Sequence, residues 1–418
     1  MLLCMFKRLF VPGVLLLAII GLFSWLMWSP FWQSLREVGA VFQLIHREYY
    51  DADAVDYEAL RDKALKGTLH NLDPYSRYFT KEDFKSFRER SEQRYVGVGI
   101  EIQELEDDVT VVTVFPGSSA EQAGVLPGDQ IVRVDATDVS DFNVEEVTDA
   151  IRGEEGQPVE LGLFRPAVDE ELSLEVMRAP VEIPSVLDTA LTDDGIGYLR
   201  LSQFGERTSE EFAAALDQLE RNGMQALIID LRNNPGGYLS AAKEVTEQFL
   251  DEGQLIVYTA GRDEADRTEY VSDTPARVGD YPVAVLVNHY SASGSEIVAG
   301  VLQDVGRAVV VGETSFGKGS VQTVHQLRFG GAVSQTTALY YFPSGTSIHN
   351  KGVEPDIAVE VEPETARKLE VQHRHADRMT PEEFERIFEF KPDLQDAVRN
   401  RAEDYLRGEL TSSAPAAA

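Results

Sequence analysis

The chain has 418 residues, with 38 Lys and Arg against 71 Asp and Glu, for a formal charge of −33. A surplus of that size excludes a surface built to grip nucleic-acid phosphates and argues against adhesion to anionic lipid. With 43% hydrophobic and 26% charged residues the composition is globular and the length suits two or three domains, so disorder, collagen and coiled coil are excluded as whole-chain readings. The single cysteine, Cys4, permits no intrachain disulfide and no Cys-based zinc site.

Residues 9–28 carry no charge. As a helix rising ~1.5 Å per residue they extend about 30 Å, the hydrocarbon thickness of a bilayer. Lys7 and Arg8 precede them, which by the positive-inside rule keeps the N-terminus in the cytoplasm and sends the rest of the chain across. The flank Ser24-Trp25-Leu26-Met27-Trp28-Ser29-Pro30 lacks a small-x-small cleavage site, and Trp25 and Trp28 suit an interface belt. A retained single-pass anchor is therefore favoured over a cleaved signal peptide.

Beyond the anchor, Leu35, Val38, Phe42, Ile45 and Tyr49 recur every three or four residues, predicting an amphipathic helix. A second helix is expected over 57–69, before Asp73-Pro74 starts a turn. Between 95 and 178 the texture changes to short β-rich runs, 109–115, 130–134 and 159–164, separated by Pro116-Gly117 and Pro127-Gly128. This small β domain opens with Gly97-Val98-Gly99-Ile100, whose glycines let successive N–H groups turn toward one point, as a carboxylate nest requires. A helix over 144–151 supplies the other wall of a groove in which a free sheet edge accepts an extended peptide. Alone, such a glycine pair is usually only a turn.

From Gly195 strands and helices alternate. Residues 198–201, 226–231, 283–287 and 308–311 read as buried strands, and Thr208-Ser209-Glu210-Glu211 as a capping box opening a helix that ends at Asn222-Gly223. This is an α/β core. Beyond 362 the chain is charged and helical, with Thr380-Pro381-Glu382-Glu383 as a helix start, and the Ala/Pro/Ser tail from 411 is expected to be disordered.

Three polar stretches each follow an apolar strand: Asp230-Leu231-Arg232-Asn233-Asn234-Pro235-Gly236-Gly237, Ser291-Ala292-Ser293-Gly294-Ser295-Glu296, and Phe316-Gly317-Lys318-Gly319-Ser320-Val321-Gln322. Carboxyl ends of strands are where α/β sheets hold ligands, so the three are expected to converge. A phosphate loop over residues 312–318 fails one residue on, because position 319 is Gly where Mg²⁺ needs Ser or Thr. A serine hydrolase fits better. Ser293 lies where a strand turns into a helix expected over 295–305, so amides at the helix start can face an anion on the substrate. His289 is four residues upstream in no nucleophile-elbow motif, and reads as a turn residue. Lys318 is the better base, since a lysine held among apolar groups can lose its proton near neutral pH and then deprotonate a serine. For an arbitrary Gly-Lys-Gly, a surface lysine is the ordinary reading. Ser291 and Ser295 are alternative nucleophiles, with Ser295 a plausible helix N-cap.

Taken together with Leu72-Asp73-Pro74-Tyr75-Ser76, Tyr341-Phe342-Pro343-Ser344-Gly345-Thr346-Ser347-Ile348 and Gly352-Val353-Glu354-Pro355-Asp356, these stretches make the chain resemble the carboxyl-terminal processing, or tail-specific, proteases from about residue 31 to 355. The resemblance implies a PDZ-containing serine peptidase with a Ser-Lys dyad. Ser293 would be the nucleophile, Lys318 the general base and Gln322 the residue orienting the lysine. It further implies an oxyanion hole from the amides of Gly294 and of Gly236 or Gly237. Such proteins usually carry Ala where this chain has Gly294, which keeps the amide and loosens the turn. The peptide-binding residues would be Gly97, Val98, Gly99 and Ile100.

The fold so implied is an α/β catalytic core of the ββα, crotonase-like type with an inserted β-rich PDZ domain, an N-terminal transmembrane helix and helical flanking regions. Its boundaries fall at 1–30 (cytoplasmic N-terminus and anchor), 31–92 (helical region), 93–178 (PDZ domain), 179–361 (peptidase core), 362–410 (C-terminal helices) and 411–418 (tail). The expected function is endoproteolysis of exported or membrane proteins whose free C-termini the PDZ groove captures. The expected place is the bacterial inner membrane, with the catalytic part in the periplasm. No metal, nucleotide or other cofactor is called for, nor a nucleic-acid partner. A homo-oligomer or an activating adaptor protein remains open. The competing readings are a non-catalytic PDZ adaptor on the same scaffold and, third, an ATPase.

Overall fold

The computed structural model describes residues 29–91, 94–105, 108–166, 168–263, 267–376 and 379–413. The anchor expected over 9–28 lies outside them. Among the described residues, no helix is long and apolar enough to cross a membrane.

Two compact units emerge. One combines the described residues up to Asp83 with Thr323–Thr336. It contains the helix Tyr57–His70, capped where Asp56 accepts the Ala59 amide, and the strand Arg77–Phe79, antiparallel to residues 332–334. The expected turn is there: Asp73 Oδ1 takes the amides of Tyr75 and Ser76, both at 2.8 Å. The amphipathic helix, Pro30–Glu48, buries none of its side chains.

The second unit, Phe84–Gln322 with Thr337–Ala418, holds the β-rich domain, the α/β core and the C-terminal helices. In the β-rich domain, Ile100–Leu105 forms one edge of an antiparallel sheet, followed by Asp108–Val114, Gln130–Val134, Pro158–Arg165 and Glu170–Met177. Apolar residues at alternate strand positions, such as Val109, Val111, Leu161 and Leu163, make its core with Val147 and Ile151 of the helix Val144–Ile151.

The α/β core is a six-stranded sheet in the order Val186–Leu191, Ile196–Leu201, Ala226–Asp230, Val283–Val287, Val309–Gly312, Ile357–Ala358. Its first pair is antiparallel and the others are parallel. The three middle strands are buried on both faces, which is why they read as continuous apolar runs rather than alternations. On one face pack the helices Thr208–Arg221, Leu239–Glu247 and Gly294–Asp304; on the other lies Ala397–Ser413, through Val398, Ala402 and Leu406.

Three local expectations differ from the structure. Thr208 is not an N-cap but the first helical residue: its hydroxyl takes the Gly205 amide and meets Ser185 Oγ, while Glu211 Oε2 takes the Ser185 amide instead of closing a box. Ser295 is not the cap of its helix, which begins one residue earlier with Ser293 at the N-cap. The last helix runs to Ser413, into the stretch expected to be disordered, with Thr411 Oγ1 donating to the Arg407 carbonyl at 2.7 Å.

Candidate active site

Parallel register sets the level of the site. Asp230 pairs with Leu286, and Leu286 and Val287 with Val311 and Gly312, so three neighbouring strands end together and release their polar loops on one side of the sheet. Hydrogen bonds then stitch the loops to one another. The Asn234 carbonyl accepts the Ala292 amide at 3.0 Å and the Ser295 hydroxyl at 2.9 Å, and the Ser291 carbonyl accepts the Phe316 amide at 3.0 Å. Asn234 is wholly buried, and its side chain donates to the Leu201 carbonyl and accepts the Gly236 amide.

Of the three serines, only Ser293 keeps partial exposure; Ser291 and Ser295 are buried. Ser291 Oγ donates to the Leu231 carbonyl at 2.8 Å and takes the Asn288 amide at 3.0 Å, so Ser291 and Ser295 both serve the loop framework. Ser293 has φ 54° and ψ −110°. Left-handed backbone at a non-glycine residue costs of order 1–3 kcal/mol and persists only where its surroundings enforce it.

Glu296 supplies much of that enforcement. Its side chain is buried, yet four donors surround the carboxylate: the Ser293 amide (2.8 Å) and the Lys318 amide (2.9 Å) on Oε2, and the Ser315 hydroxyl (2.5 Å) and the Gly317 amide (2.7 Å) on Oε1. Burial pushes the carboxyl above the ordinary glutamate value, and the four hydrogen bonds offset part of that rise. Two amides that a phosphate loop would offer a nucleotide, those of Gly317 and Lys318, are thus occupied by the protein's own carboxylate, and those of Glu313, Ser315 and Phe316 by main-chain carbonyls, which removes the footing of the ATPase reading. Sequence reasoning counted Glu296 only as the end of a motif. The signal that could have found it is its place three residues after a turn serine, where a capping side chain reaches back.

Lys318 is half-buried and enters the strand Ser320–Gln326. Gln322 lies on that strand, its Nε2 donating to Ser320 Oγ at 2.9 Å. His289 is half-exposed and meets Glu313 Oε2 at 3.1 Å, consistent with a turn residue.

The glycines expected at the oxyanion position separate. Gly236 sits against the Ser293 turn so closely that a Cβ there would lie 2.7 Å from both Ser293 Cβ and Gly294 N, but its amide is taken by Asn234 Oδ1 at 2.9 Å. Gly237 faces Phe204, whose carbonyl oxygen would be 2.0 Å from an added Cβ. A Cβ on Gly294 would stand 3.0 Å from Phe204 Cδ2, so an alanine methyl there would need the phenyl ring to give way slightly.

Gly97, Val98, Gly99 and Ile100 line one wall of a groove of about 360 Å³. Val144, Thr148, Ile151 and Arg152 line the other. Gly99 has φ +89°, and a Cβ on it would strike Ser118 Cβ at 2.2 Å. A polar chain leads from this domain to the loops that follow the core strands. Glu101 on the groove strand meets Arg374 at 3.2 Å, Arg374 meets Glu370 at 2.6 Å, and Glu370 accepts Asn233 Nδ2 at 2.6 Å and pairs with Arg200. Asn233 in turn exchanges two hydrogen bonds with Asn288, just ahead of the serine turn.

Residues 195–359 match the family described as Peptidase family S41, and residues 86–163 match the PDZ domain. The carboxy-terminal-processing protease of Bartonella bacilliformis is 36% identical, over 92% of this chain and 90% of the relative. The carboxy-terminal processing protease CtpB of Bacillus subtilis is 35% identical, over 78% and 68%. Among solved structures, the photosystem II D1 C-terminal processing protease is 30% identical, covering 77% of this chain and 92% of that one with a TM-score of 0.45. The chain belongs to peptidase family S41 and is a carboxy-terminal processing serine protease with a PDZ domain.

Proposed function

We propose that Ser293 Oγ attacks the scissile carbonyl while Lys318 Nζ takes its proton and passes it to the leaving amine, and that water then releases the acyl-enzyme. The observation that carries this reading is the single oxygen, Glu296 Oε2, that receives the amides of both residues, so their backbones cannot be further apart than those two hydrogen bonds together. Gln322 orients the lysine. The amides of Gly294 and Gly237 receive the substrate oxygen, since that of Gly236 is engaged.

The groove at Gly97, Val98, Gly99 and Ile100 captures the free C-terminal carboxylate of a protein substrate, with Arg152 adding positive charge at its wall and apolar side chains burying the tail. The substrates are exported or membrane proteins, because residues 9–28 anchor the chain with its bulk outside the cytoplasm. Comparing protein termini in membrane fractions carrying the active protein or Ser293→Ala tests the whole reading. New C-termini should arise with the active protein alone, and identical termini in both overturn it. Sequencing the N-terminus of the membrane-extracted protein tests the anchor, which a new start just after Trp28 would refute.

A further inference from the structure

We propose that Tyr340 is a positioning residue for this dyad: its hydroxyl clasps the main-chain carbonyls of Ser293 and Lys318 and sets the separation of nucleophile and base. The proposal rests on the dyad reading and adds to it a residue that touches neither the substrate nor a reacting atom.

The Tyr340 hydroxyl lies 3.0 Å from the Lys318 carbonyl oxygen and 3.3 Å from that of Ser293. A phenol has one proton, so this is a three-centre donation shared between the two acceptors, stronger toward Lys318. The tyrosine is 2% exposed, so its hydroxyl has little bulk water to bond to in place of these carbonyls. Its own position is fixed from the other end, because the Tyr340 amide donates to the Gly319 carbonyl at 3.0 Å. The ring stands 6.4 Å from that of Phe342, which in turn fills the space over Gly300 on the nucleophile helix.

Glu296 holds Ser293 and Lys318 by their N–H groups, and Tyr340 holds the same two residues by their C=O groups. Two independent clasps on one pair define its separation and its rotation, where either alone leaves one of these loose. A nucleophile misplaced by about 1 Å loses on the order of 10²-fold in rate.

The test is Tyr340→Phe in the full chain, which keeps the ring against Phe342 and removes only the donor. With an unstructured protein as substrate, kcat should fall about 10- to 100-fold while KM stays within about twofold. The apparent pKa on the acid limb of the rate profile should move toward the ~10.4 of free lysine as Lys318 gains freedom. A merely structural role would lower the unfolding midpoint without moving that limb. Should Phe at 340 impair folding, 4-aminophenylalanine at the same position, which retains a donor, must restore activity; equal loss in both overturns the proposal. Wild-type kcat in Tyr340→Phe, beside inactive Ser293→Ala and Lys318→Ala, overturns this proposal alone. Activity in either of those two controls overturns the dyad reading instead.

Discussion

Ser293 and Lys318 give their backbone amides to one carboxylate oxygen, Glu296 Oε2, at 2.8 and 2.9 Å. Residues from two separate loops are therefore placed by a third side chain, and the geometry of the pair depends on a group that takes no part in the chemistry proposed for it.

Replacing Glu296 by Gln leaves one acceptor oxygen and turns an NH2 group toward donors that previously met a carboxylate. Glu296→Gln should cost about 1–3 kcal/mol in urea unfolding. Its kcat should fall by on the order of 10²-fold as the pair loses register. Wild-type kcat with only reduced stability would show that the clasp holds the fold alone.

Ser293→Ala and Lys318→Ala should each abolish cleavage with an unchanged circular dichroism spectrum. Lys318→Arg should be equally inactive, because a guanidinium does not give up its proton in proteins. Turnover by the Arg variant would rule out base catalysis at this position.

Arg232 lies between two buried carboxylates, Asp230 at 2.5 Å and Asp396 at 2.7 Å. Burial pushes the Asp230 carboxyl up, but the charges of Arg232 and Arg200 outweigh it and leave it well below the aspartate range; Asp396 is lowered in the same way. Carboxyls with lowered folded pKa values contribute stability that is present above the unfolded value of ~3.9 and lost as pH falls through the folded one. Glu296 has the opposite sign, its raised pKa favouring the folded state as pH drops. Urea midpoints should therefore fall most steeply below about pH 4, after a smaller loss as pH drops through the ordinary histidine range, because burial beside Asp396 lowers the His373 pKa in the folded state. Arg232→Leu strands both aspartates and should cost about 3–5 kcal/mol at pH 7. Its pH dependence should reverse, with the variant more stable at mildly acidic pH than at neutral. A variant whose midpoint still falls with acid would refute this account.

A substrate tail with a free carboxylate should be cut faster than the same tail amidated, and deleting residues 95–178 should remove that preference. Gly99→Ala should remove it too, since an added Cβ meets Ser118 at 2.2 Å at a φ of +89°. Arg374→Ala breaks the chain from Glu101 to Glu370 without touching the groove. It should leave the affinity for a free-carboxylate peptide unchanged while altering how far that peptide changes kcat. Equal cleavage of both tails by the intact protein would eliminate carboxylate capture.

What the sequence made legible is what local rules govern. Continuous apolar runs marked the buried parallel strands, and the glycine-rich loops after them marked the site, because both signals sit within a few consecutive residues. Partners distant in the chain left no such trace. Thr208 followed by Glu211 matches a capping box, yet Ser185 and Gly205 compete for both side chains and win. Asn234 reads as one more turn residue until its ties to Leu201 and Ser295 are seen. Likewise His375, 262 residues from Thr113 along the chain, meets its Oγ1 at 3.3 Å, and no periodicity announces that contact.

The level ending of the three strands also bears on when the protein becomes able to cut. Lateral pairing at Asp230, Leu286 and Val311 joins segments far apart in the chain, and non-local parallel pairing is slow because loop closure must precede its reward. The loop that carries the strained Ser293 is tied to its neighbours where the Ala292 amide meets the Asn234 carbonyl and the Lys318 amide meets Glu296 Oε2, ties that require those neighbouring strands to be in place. On the dyad reading, a chain in which these loops have not yet met holds its serine and lysine as ordinary, unreactive residues. Hydrolytic power is then a late product of folding.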